Sequence, residues 1–76
     1  MEKNEKRKRF EKVASNRVQR ILDTFDLLQN CSNSNNYEYS EHDVEHMFNE
    51  ITKKLKETKQ VFSKEIKKDK KQNFIF

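Results

Sequence analysis

Apolar residues recur at threes and fours from Phe10 onward, through Val13, Ala14, Val18, Ile21, Leu22, Phe25 and Leu28. That spacing returns to one side of a helix at every turn, and it predicts a first helix over about residues 5 to 30. A second series runs Val44, Met47, Phe48, Ile51, Leu55, Phe62 and Ile66, with Thr58 at the one seam position that lacks an apolar side chain. It predicts a second helix over about residues 41 to 70, fraying into its lysines.

The stretch between the two series, CSNSNNYEYS, is rich in serine and asparagine. Their short side chains compete for backbone hydrogen bonds, and asparagine tolerates the left-handed conformation that often ends a helix. A turn can therefore form here without glycine, by either means. Ser40 and Asp43 have the S-x-x-D/E spacing of a capping box, and Tyr39 and Val44 occupy the two positions of a hydrophobic staple. The start of the second helix is the most strongly specified point of the chain.

These elements predict an all-α fold in which two long antiparallel helices form a helical hairpin. It is a single domain over 1–76, with a loop at 31–40 and a tail at 71–76. On a helical wheel at about 100° per residue, the first helix has an apolar face roughly 180° wide and the second a face nearer 100°. Val18, Leu22 and Phe25 form the surplus edge. Burying such side chains is worth about 1.5–3 kcal/mol each, an energy recovered by dimerisation into a four-helix bundle or by docking on a larger protein. The competing expectation is that the last ten residues fold back over this edge.

Composition narrows the picture further. Among 76 residues there is no glycine and no proline, where average usage gives roughly five and four. A sheet protein would need such turn residues, so continuous helix is the default. A chain this short has little room for an enclosed active-site cavity. Cys31 stands alone and cannot form an internal disulfide, which suits a reducing compartment, and no apolar run reaches the length of a signal peptide or membrane span. A cytoplasmic, non-enzymatic protein without cofactor or membrane contact is the expectation.

Charge divides the chain into zones. Residues 21–52 hold seven acidic residues and no lysine or arginine, a charge of −7, while the flanks carry all 17 basic residues against six acids, a charge of +11. In a hairpin the basic flanks would meet at one end and the acids at the other. Lys6, Arg7, Lys8 and Arg9 with Lys64, Lys67 and Lys68 are the candidate nucleic-acid contacts, through phosphates rather than base edges. The acidic zone can instead imitate nucleic acid toward a DNA-handling enzyme, or the charges can serve solubility alone.

Individual residues add candidate chemistry. His42 and His46 share a helix face, and HDVEH satisfies the H-x-x-E-H string of inverted zinc peptidases. A catalytic site would need a third protein ligand and a substrate cleft, so no metal site is assigned and the pair is read as solvated histidines. Tyr37 and Tyr39 alternate through the loop, with Tyr39 expected to pack inward and Tyr37 to act as a contact residue. Arg17, inside the first apolar face, is placed to snorkel or to set register against Glu57 or Glu65. At the end, Phe74, Ile75 and Phe76 follow a charged run and are read as partner-binding. QNFIF resembles the pentapeptide by which bacterial proteins hook onto the DNA sliding clamp, with Asn73 in place of the usual leucine.

LLQNCSNSNNYEYSEHDV, within Arg17 to Phe62, resembles a set of short bacterial proteins commonly encoded by mobile elements. The likeness spans about 60% of the chain. It implies a compact helical protein of a bacterial cytoplasm that regulates or interferes with a host or element-encoded machine, and it transfers no site residues. The functional expectation is a protein-binding regulator or inhibitor using Val18, Leu22, Phe25, Tyr37 and the Phe74–Phe76 tail. Nucleic-acid binding, DNA mimicry and clamp docking are the alternatives.

Overall fold

The computed structural model describes residues 2–71, with side chains from residue 4 to residue 68. The chain is all-α, with helix α1 over Glu2–Asn30, helix α2 over Glu41–Lys71 and a corner at 31–40 between them. It divides into two units, Met1–Glu38 and Tyr39–Phe76, each built around one helix. No strand occurs among the described residues.

Helix α1 begins at Glu2, three residues before the periodicity predicts. The apolar rhythm starts only at Phe10, but residues 2–9 are dominated by glutamate, lysine and arginine, which lose little rotamer freedom in a helix. Arg7 adds local support. Its guanidinium Nε donates to Glu11 Oε2 at 2.9 Å, one turn on, and its Cζ stands 5.7 Å from the centre of the Phe10 ring. Both contacts are exposed and contribute only tenths of a kcal/mol to about 1 kcal/mol each.

The end of α1 uses the first of the two means open to it, side chains bonding to the backbone. No described residue has positive φ, so the helix is not stopped by a left-handed asparagine. It tightens instead, with Cys31 N donating to Leu28 O (2.9 Å), Ser32 N to Gln29 O (3.1 Å) and Asn33 N to Asn30 O (3.4 Å). These span three residues rather than four, and the Ser32 hydroxyl also donates to Gln29 O at 2.7 Å. Side-chain and 3₁₀-type bonds thus satisfy carbonyls that a left-handed cap would otherwise serve. Asn33 then organises the corner, because its Oδ1 accepts from Asn35 N (3.0 Å) while its carbonyl accepts from Asn36 N (3.1 Å) and Tyr37 N (3.0 Å). Asn33→Ala removes the side-chain acceptor of this Asx turn and is expected to broaden the amide resonances of residues 34–37. Unchanged resonances would assign the corner to backbone bonds alone.

Helix α2 starts as the sequence predicts. Ser40 N donates to Asp43 Oδ2 at 2.8 Å, Asp43 N donates to Ser40 Oγ at 3.1 Å, and Val44 N donates to Ser40 O at 3.2 Å. The reciprocal pair is a capping box. Thr58 keeps its place on the apolar side because its hydroxyl donates to Lys54 O at 2.8 Å, inside its own helix.

Candidate protein-binding face

Within each unit a helix has only its own turns to pack on, and no described side chain is fully buried. The half-buried ones are Ala14, Phe25 and Leu28 in α1 and Val44 and Ile51 in α2. At about 100° per residue these positions fall within about 30° of the centres of the two predicted apolar faces, Phe25 on the side that leads into the surplus edge, and neighbours one turn away cover them from both sides. The periodicity therefore marks the right axis on each helix.

The edge of the α1 face carries the candidate contact residues. Val18 and Leu22 are each 52% exposed, while Phe25 is half-buried by its own helix. Beside them lies a shallow, solvent-open depression lined by Phe10, Glu11, Ala14, Ser15, Val18 and Gln19. Its form follows from side-chain size, because Ala14 and Ser15 are small and Phe10 and Val18 stand one turn to either side of Ala14. A partner side chain can enter such a hole in the manner of helix–helix packing. Sequence periodicity identifies Val18 but misses the depression, whose signal is the small pair between two large residues at i−4 and i+4. Arg7 contacts both Phe10 and Glu11, so it braces one end of the same feature.

Two apolar residues stand off these faces. Leu27 is 65% exposed and Val61 64% exposed. Leu27 lies about 130° from the centre of the α1 face, so high exposure alone does not place a residue in a contact surface.

Tyr37 and Tyr39 are 53% and 45% exposed, so neither ring turns inward as Tyr39 is expected to. A short corner that follows an Asx turn leaves both rings on the surface of their own units. Phe74, Ile75 and Phe76, with the rest of QNFIF, lie outside the described residues.

The basic clusters differ in geometry. Lys6, Arg7, Lys8 and Arg9 are consecutive in a helix, so they step about 100° each and encircle α1 instead of forming one surface. Arg7 is already engaged by Glu11. Lys64, Lys67 and Lys68 are all exposed and spaced i, i+3, i+4, so they form one stripe on the side of α2 away from Val44 and Ile51.

At the start of α2, the Ser40 backbone N–H, then the hydroxyl of the same residue, hold the Asp43 carboxyl below its ordinary value of 3.8. Desolvation opposes these bonds, and the lesser electrostatic influence of His42 and His46 acts in the lowering direction. No group of three or more His, Cys, Asp or Glu side chains suited to a metal occurs among the described residues. Cys31 is a free, exposed thiol. No described helix is long and apolar enough to cross a membrane.

No family model matches the chain, and neither a curated protein nor a solved structure matches it. The reading of its function therefore rests on the faces themselves.

Proposed function

We propose that this chain is a small non-enzymatic binding protein that regulates or inhibits a larger protein assembly through the apolar edge of α1. The observation that carries the reading is the continuity of the surface from the Phe10–Val18 depression into Leu22 and Phe25. A face about 180° wide exceeds what one packed helix covers, so a hairpin partner helix would still leave this edge to a second protein. Large aliphatic and aromatic side chains around a small-residue hole are the composition of an anchor-and-pocket contact. Regulation of a host or mobile-element machine in a bacterial cytoplasm is the role that the resemblance of the corner segment would favour.

The test is site-specific photo-crosslinking in bacterial cells with the probe placed at Leu22 and, as control, at Lys56 on the polar side of α2. A discrete heavier adduct from position 22 alone is the expected result. An adduct matching two copies of this chain would assign the edge to a homodimer, and equal labelling from both positions would remove the proposed face.

A second reading has its own observation in the Lys64, Lys67 and Lys68 stripe. Three phosphate contacts on duplex DNA would give a slope of about −2.7 in log affinity against log salt, at about −0.9 per phosphate. Reversing all three charges is expected to abolish that dependence in a gel-shift titration, and the corresponding reversal of Lys6, Lys8 and Arg9, which encircle α1, is expected to have the smaller effect. Failure of the parent protein to retard DNA or RNA at low salt excludes this reading.

A further inference from the structure

His42 and His46 lie four residues apart in the first turns of α2, and both are exposed. Side chains at that spacing rise from successive turns with Cβ atoms about 5–6 Å apart. Two imidazoles mounted so can converge on one ion at metal–nitrogen bonds of about 2.0–2.1 Å. We infer that His42 and His46 form a two-imidazole chelating site for a divalent late first-row metal ion, with solvent filling the remaining coordination positions.

The surroundings favour a cation there. Glu41, Asp43, Glu45 and Glu50 lie within the same stretch, and no lysine or arginine occurs between Arg20 and Lys53. Four carboxylates outweigh the roughly half unit of positive charge that a helix N-terminus presents. Asp43 lies about 80° around the helix from the midline of His42 and His46 and is held toward Ser40 by the capping box, so it is not counted as a ligand. With no third donor gathered among the described residues, the site is a chelate with open positions and not the closed cage of a structural zinc centre.

Its position gives the site a use. The pair projects from the side of α2 opposite Val44, Ile51 and Leu55, so covering the apolar face does not block it. An ion held across residues 42 and 46 would tie two turns together directly after the capping box. Metal binding and helix formation at this end are then linked.

Full-length protein titrated with nickel(II) and with zinc(II) provides the test, read by calorimetry and by far-ultraviolet circular dichroism during melting. Saturable binding of one ion per chain with a raised melting midpoint is the expected result. His42→Ala and His46→Ala should each weaken binding about tenfold or more, since each removes the chelate. The variant His46→Ala with Asn49→His keeps two histidines on the polar side but separates them by about 10.5 Å along the axis, and it should bind as weakly as the single variants. Cys31→Ser should bind like the parent. Absence of saturable binding at millimolar metal, equal binding by the repositioned variant, or loss of binding in Cys31→Ser would each overturn the assignment.

Discussion

Truncating Leu22 and Phe25 together to alanine is expected to weaken partner capture by about one to two orders of magnitude while leaving the helical signal intact. Full burial of such side chains is worth about 1.5–3 kcal/mol each, but Leu22 is 52% exposed and Phe25 already half-buried, so roughly half of that remains to be gained from a partner. Together they supply about 1.5–3 kcal/mol, and each 1.4 kcal/mol is a factor of ten in affinity. Alanine is the best helix former, so α1 itself does not suffer. Leu27→Ala is the informative control. Leu27 is the more exposed residue at 65%, and an account based on exposure alone would make it the stronger contact. The helical geometry places it off the face and predicts no loss of capture. Equal losses from Leu27→Ala and from the double variant would show that the chain binds through general stickiness and not through an oriented edge.

What was legible in the sequence is what short-range rules decide. The two helices, the break at 31–40 and the capping box at Ser40 and Asp43 all depend on contacts three or four residues apart, where spacing and chemistry determine geometry. The half-burial of Ala14, Phe25 and Leu28 follows from the same periodicity. The stop of α1 was not legible, because an asparagine- and serine-rich segment offers several local solutions of similar energy. Asn33 accepts from Asn35 in an Asx turn, although the same residue type could have entered the left-handed region, and composition does not choose between them. The start at Glu2 was missed because charged residues favour helix without leaving an apolar rhythm to read.

The candidate site divides along the same line. Val18, Leu22 and Phe25 are found by periodicity, whereas the depression at Ala14 and Ser15 appears only when side-chain volumes are set on the helix. Linear adjacency made Lys6 to Arg9 look like a cluster, yet the 100° step distributes them around α1. The less conspicuous Lys64, Lys67 and Lys68 make the coherent stripe.

The other large effect is expected at the start of α2, where Ser40→Ala should cost about 0.5–2 kcal/mol of helix stability. Ser40 participates twice, through Oγ accepting from Asp43 N at 3.1 Å and through its own N–H donating to Asp43 Oδ2 at 2.8 Å. Alanine removes the first bond and leaves Asp43 N without its side-chain partner, while the second, a backbone bond, is formally retained. The two halves of the box are therefore separable by pH. The folded Asp43 carboxyl titrates below its ordinary value of 3.8, so the stabilisation it supplies is fully present above that value and is lost as pH falls through the lowered one. Asp43→Asn keeps an amide oxygen that can accept the Ser40 N–H but has no charge to titrate. Amide exchange at residues 41–44 should accelerate, relative to the free-peptide rate, in the parent as the pH passes from 5 to below 3, and the Asn variant should show a flatter response over that interval. Ser40→Ala should instead raise the relative exchange rate at both ends of the range. If parent and Asn variant respond identically to acid, the Ser40–Asp43 pair has no charge-dependent role in starting α2.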